Sequence, residues 1–463
     1  MTKKFISSVA RTPKGSTKSN LFLLTALAGF IISGCKPIDC CDRSVIKSNP
    51  PTVTIPEDGG DEDITITSPV DWKVIEWPEW VTVSPMSGSG SMEVTISAEK
   101  NNTGKTRSGK IVIVADNGDR LEIPVSQEGE PIVYIAGYQV IDGINVATVW
   151  ANGVPQILPG SGTGSKAYSV FAAQDGTVYV AGVSDIKNAG GYWPTLWVDG
   201  TPQMLNDDPG YATSVYVTES GDVYVAWVNE TGLPTPNVWK NGTSQVLDFN
   251  WEGGIANSVY VTEAGKVYVA GRDLNSMTFE YEAVLWVDGV KQVLPMFGTN
   301  NVDATATSVS VAKDGTVYVV GHQYKYTDPL FTGYLWKDGE PQILASCNNT
   351  AGYYTGCTKM TSVFVAENGK VYVTGHFEQY IIDWPVAHLW IDGVEQPHLS
   401  NLAISTANSV YVTKNGTIYV AGYDGDAGFE NYATLWKNGG FQTRVSTEHF
   451  ITLYAFNSVF VLE

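Results

Sequence analysis

Val267-Tyr268-Val269-Ala270-Gly271, then a variable stretch, then Leu285-Trp286-Val287-Asp288-Gly289: this phrase organises most of the chain. Its first half alternates along the strand period and stops at glycine. Its second half ends in Asp-Gly, the pair that favours a two-residue hairpin. The phrase recurs seven times. Its anchor tyrosines are Tyr134, Tyr179, Tyr224, Tyr268, Tyr318, Tyr372 and Tyr419, spaced 44 to 54 residues apart. Its tryptophans are Trp150, Trp197, Trp239, Trp286, Trp336, Trp390 and Trp436. Repetition at one strand position reads these tryptophans as core between repeats.

A period of this length, built of strands and tight turns, predicts a β-propeller rather than a helical solenoid. Residues 131–463 supply 333 residues, about 48 per repeat, and each repeat reads as four strands. The first carries Ser-Val-x-Val, as in Ser214–Val217, and the second is the Val-Tyr-Val-Ala-Gly run. The third ends at Leu-Trp, and the fourth resembles Pro155–Leu158. The chain enters mid-repeat at Val133 and ends on an unpaired first strand, Ser458–Val461. That offset predicts seven blades, with the last strand completing the first blade and leaving no free sheet edge. First-to-second and third-to-fourth turns are short and glycine-bearing, and parity puts them on one face. The second-to-third loops and the blade links must then occupy the other face, where binding residues are expected.

The first 34 residues read as a leader. Lys3, Lys4, Arg11, Lys14 and Lys18 precede a twelve-residue apolar run, Leu21–Ile32. That run is too short to span a bilayer core of roughly 30 Å. Ile32-Ser33-Gly34-Cys35 resembles the lipobox of bacterial lipoproteins, which implies cleavage before Cys35 and lipidation of its thiol. Residues 35–50 would form the lipidated tether, with Cys40 and Cys41 inside it. A lipid anchor then fastens the protein to a membrane that it does not span. Loss of the five basic leader residues takes the formal charge from −20 to −25. A surface that acidic repels phosphate backbones, which excludes nucleic acid as a partner. Outside the cytoplasm, Cys347 and Cys357 are expected to staple one loop as a disulfide.

Between residues 51 and 130, short alternating runs separated by Gly, Asp and Asn clusters predict a β-sandwich. Here Gly59-Gly60, Asp71-Trp72, Trp80–Pro85, Ser87–Gly90, Asn101-Asn102-Thr103, Arg107-Ser108-Gly109 and Val125-Ser126-Gln127 resemble the BACON domain. The resemblance implies an immunoglobulin-like sandwich of a kind found on surface proteins that act on polysaccharides. Trp72, Trp77 and Trp80 could form a sugar platform, but the strand pattern around Trp72 and Trp80 reads as core. A spacer role for this module is equally compatible with its position.

On the second-to-third loops, Trp193, Trp227, Tyr281, Tyr324, Tyr326, Phe377, Trp384 and Tyr423 are the candidate ligand-binding residues. Flat rings stack on sugar faces, and carboxylates between them accept hydroxyl hydrogen bonds. Trp227 stands where most equivalent strands end in Gly. His322 and His376 each follow the Gly of a second strand, in adjacent repeats. With Asp383 they form a candidate acid–base group, although descent from one ancestral repeat explains the recurrence as well. Asp424, Asp426 and Glu430 space carboxylates around a glycine like part of a calcium loop, without its third oxygen ligand or distal Glu. No other cofactor is indicated.

These readings converge on a lipid-anchored binding protein of the outer membrane, displayed at the cell surface or facing the periplasm. It would capture a polysaccharide or oligosaccharide on the long-loop face of the propeller. The alternatives are a polysaccharide lyase or hydrolase, and a scaffold gripping a protein partner.

Overall fold

The computed structural model describes residues 45–463 except 161–163, 251, 298–301, 326–329, 347, 351–352, 356, 379–384, 401, 403, 427–429 and 446–454. The described residues are all-β. An immunoglobulin-like sandwich of one four-stranded and one five-stranded sheet comes first, followed by a seven-bladed propeller. Cys35, Cys347, Tyr326, Asp383 and Trp384 lie outside the described residues, as does the side chain of Cys357.

The sandwich core is aliphatic and includes Ile55, Ile66, Ile96, Ile113 and Trp72. Trp80 packs at the edge of that core beneath the guanidinium of Arg107, 4.6 Å from its ring centre, while Trp77 is exposed. The pattern residues of this module serve the fold. Buried Asn101 donates to the Lys105 and Glu128 carbonyls, and Thr103 Oγ1 donates to Asn101 Oδ1 at 2.6 Å. Arg107 Nε donates to Gln127 Oε1 at 2.9 Å, and Gln127 Nε2 donates in turn to the Pro56 carbonyl. Polar groups this deep are tolerated because each is satisfied.

Each blade is an antiparallel sheet, and in blades 2 to 7 the strands run outward in chain order. Blade 4 is representative, with Gly254–Val261, Val267–Leu274, Tyr281–Val287 and Val290–Val293. The seven third-to-fourth turns are Asn-Gly or Asp-Gly, and the first residue of each has a φ of 43° to 52°. Asn and Asp tolerate that left-handed conformation better than other side chains do. They also contribute a bond that few others could. Asp288 Oδ1 accepts the Val267 N–H at 2.9 Å, and the equivalent bond occurs in all seven blades. The turn residue thereby caps the strand beside it.

Blade 1 is assembled from both ends of the propeller sequence. Ala455–Leu462 pairs with Ile132–Ile141, setting Val459 opposite Ile135. Every innermost strand carries a bulge just before its serine, between Ala256 and Ser258 in blade 4. A bulged residue leaves the ladder of its own sheet and turns its groups toward a neighbour. Two circuits of hydrogen bonds result. The N–H after each serine donates to the serine of the preceding blade at 3.1–3.4 Å, seven bonds in all. The bulged Thr or Asn donates to a carbonyl of the following blade at 2.6–2.9 Å at six of the seven boundaries. Tyr168 holds the seventh position.

The propeller core is correspondingly divided into seven apolar slabs, each filled from two adjacent blades. The seven repeat tryptophans are buried there. Several bind the link that leads into their own blade, as Trp197 Nε1 does at the Pro159 carbonyl and Trp336 Nε1 at that of Pro295. Toward the turn face, Phe460, Phe171, Tyr216 and Tyr260 follow one another on neighbouring blades. Their ring centres are 4.5–5.3 Å apart. Burial pushes the phenols of Tyr216 and Tyr260 up, the expected response to a dry setting.

The two faces differ as parity requires. Third-to-fourth turns have two residues and first-to-second turns five, whereas blade links run from five to ten. The second-to-third connections are shorter than expected. Blade 1 closes with the two-residue turn Asp142-Gly143, and blade 7 with three residues. Much of the supposed loop sequence is strand continuing past the glycine, so Tyr281, Tyr324, Phe377 and Tyr423 all lie within strands.

Candidate functional site

The residue after the second-strand glycine is Arg272 in blade 4, His322 in blade 5 and His376 in blade 6. They pair in register with Ile255, Thr305 and Lys359 of the innermost strands. Close approach dictates the glycine. A Cβ on Gly321 or Gly375 would sit 2.0 or 2.5 Å from the Thr305 or Lys359 carbonyl oxygen. On the link face, Arg272, His322 and His376 share a cavity of about 470 Å³ with Tyr211, Thr307 and Lys359. A recess of about 250 Å³ adjoins it. Asp303, Tyr324 and Phe331 line that recess together with the same Arg272, His322 and Lys359.

Aromatic rings hold the two cations in place. The Arg272 guanidinium lies over Tyr281, 4.2 Å from its centre, and Lys359 Nζ over Phe331 at 4.5 Å. Tyr324 and Phe331 meet at 4.9 Å, and the Asp303 carboxylate accepts the Tyr281 N–H at 2.7 Å. Burial, reinforced by Lys359 and His376, pushes His322 down to about 3, and its Nδ1 is buried without a hydrogen-bond partner. Burial and Lys359 push His376 down to about 4. Both imidazoles are therefore neutral near pH 7. A group titrating that low is a poor proton shuttle at neutral pH but a serviceable hydrogen-bonding one.

Of the residues expected from sequence, His322, His376 and Tyr324 line this composite site, and Tyr281 touches it through Arg272. Trp227 is corrected. It is 1% exposed, and its indole N–H donates to Ser244 Oγ at 3.1 Å, so it is core. Trp193 is corrected likewise, being buried and bonded to the Asp207 carbonyl under Lys187. A large ring on a continuing strand is worth more as packing than as display. Phe377 packs on His388 at 3.7 Å between ring centres, and Tyr423 is half-buried in its strand.

The calcium reading also loses its first ligand. Asp424 is buried, and its carboxylate accepts from Thr434 Oγ1 at 2.7 Å and from Ser400 Oγ at 3.3 Å. Asp426 and Glu430 face each other across the hairpin. Among the described residues no three His, Cys, Asp or Glu are grouped to hold a metal ion. Sequence reading missed Arg272, Lys359, Asp303 and Tyr211. Arg272 shares the post-glycine position of the two histidines, which is the signal that would have found it.

Residues 70–128 match the family described as "BACON: Putative binding domain, N-terminal". No curated protein matches the chain. Among solved structures it is similar to a Bacteroides ovatus xyloglucanase in complex with a heptasaccharide. There the identity is 24% over 18% of each chain, with a TM-score of 0.18. It is also similar to a Hadza microbial sialidase at 9% identity, covering 81% of this chain and 96% of the other, with a TM-score of 0.39. An ulvan lyase matches at 11% identity, covering 69% of this chain and 83% of the other, with a TM-score of 0.37. At these values none of them assigns a chemistry to this chain.

Proposed function

We propose that this chain is a lipid-anchored envelope protein that captures a glycan in the link-face cavity of its propeller. The cavity carries the reading. It is concave, and its edge presents the Tyr324–Phe331 pair for stacking beside hydrogen-bonding groups on Thr305 and His322. A sugar ring asks for this combination of flat apolar surface and polar rim. The sandwich is assigned the role of spacer, because its pattern residues are consumed in holding its own fold. The leader and Cys35 carry the membrane assignment, with display at the outer surface.

Affinity electrophoresis of the purified soluble chain against a broad polysaccharide panel tests capture. Retardation by at least one polymer, weakened by Tyr324→Ala without loss of folding, is the expected result. Uniform mobility across the panel would overturn the reading.

A further inference from the structure

The chain carries 28 basic against 48 acidic residues, so most of its surface repels anions. The larger link-face cavity is an exception. Among the described residues, its lining includes Arg272 and Lys359 and no Asp or Glu. Asp303 lines the smaller recess, where its carboxylate accepts the Tyr281 N–H.

The Arg272 guanidinium is stacked on the Tyr281 ring, 4.2 Å from its centre. Between the two cations sits His322, whose buried Nδ1 has no hydrogen-bond partner. A planar fork and an ammonium on one wall, with a neutral imidazole between them, match a group with several acceptor oxygens beside a hydroxyl.

We propose that this wall recognises an acidic sugar unit, with Arg272 and Lys359 binding its carboxylate or sulfate ester and His322 bonding a neighbouring hydroxyl. The proposal deepens the glycan-capture reading and rests on it for the sugar. Arg272 is the specificity determinant. Its fork can engage two oxygens of one anion, while Lys359 supplies a point charge from the next-but-one blade. Binding weakens as salt rises, because an exposed ion pair is screened.

The test pairs each acidic polysaccharide with a neutral derivative of the same backbone, such as polygalacturonate with its methyl ester. It also titrates glucuronate, glucose and inorganic sulfate while following the histidine side-chain resonances by NMR. Acidic forms should bind at least about tenfold more tightly than their neutral partners, and Arg272→Gln should remove that preference. Glucuronate and sulfate should shift the His322 and His376 signals, and glucose should not.

Equal binding of acidic and neutral forms would overturn the anion assignment and leave glycan capture standing. Sulfate and glucuronate shifts with no polymer retained would uphold the anion site and sink glycan capture. No response to any acidic probe would overturn the proposal. Melting curves of Arg272→Gln and of Lys359→Gln, each expected to match the parent, separate lost recognition from lost fold.

Discussion

Ser458 Oγ accepts the Val170 N–H at 3.3 Å across 288 positions of sequence. The same bond joins every other pair of adjacent blades, so this one converts a row of sheets into a circle. Closure leaves no blade without a neighbour on either side, and it fixes which residues face the axis at the link-face mouth.

Removing residues 455–463 should open that circle. Blade 1 then loses its innermost strand, and the Val461 and Phe456 slab with blade 7 is exposed. Loss of a sharp thermal transition and a rise in aggregation are expected. Ser458→Ala is milder, costing about 1–3 kcal/mol for the orphaned N–H. An unchanged melting curve for the truncated chain would refute ring closure.

Trp227→Ala should act on stability and leave ligand recognition intact in the folded fraction. Its ring is buried in the slab between blades 2 and 3, so truncation should cost about 3–5 kcal/mol. Denaturant titration measures the loss. A stability change within error, accompanied by weakened glycan retention, would restore Trp227 to the binding surface.

The histidines set an acid limit. Folded values of about 3 and 4 lie below the unfolded value near 6.5, so the unfolded chain binds more protons between them. The stabilisation from keeping both rings neutral is complete above pH 6.5. It is lost progressively as pH falls toward 4 and 3, at about 1.4 kcal/mol per unit for each ring. Replacing both by glutamine should therefore improve stability relative to the parent at pH 4.5 compared with pH 7.5. A stability difference that stays constant across that range contradicts the burial of these rings.

Cys35→Ala should release the protein from the membrane fraction and abolish incorporation of a clickable fatty-acid label. Persistent membrane association after the substitution would point to some anchor other than a lipid on Cys35.

How much of this was legible in the chain depends on where each signal resides. The blades were legible because an alternating run, a strand-ending glycine and an Asn-Gly or Asp-Gly turn are local. Each is enforced by a backbone constraint on neighbouring residues, such as the positive φ of Asp288 or the carbonyl pressed against Gly321. Repetition then made the repeat tryptophans readable as core. His322 and His376 line one cavity, and their equivalence is itself a feature of the repeat.

The fate of individual rings past the glycine was not legible. Trp227 and Tyr324 occupy comparable stretches of second strand, yet one is core and the other lines a recess. The difference depends on what surrounds each ring in three dimensions. Trp227 meets Ser244 and a slab of small and branched side chains, whereas Tyr324 meets Phe331 at the open mouth. Arg272 and Lys359 are 87 residues apart and become neighbours of one histidine only when three blades are set side by side. A one-dimensional pattern carries the strand, the turn and the blade count. Burial and the convergence of charges depend on inter-blade distances, which arise only once the ring has closed.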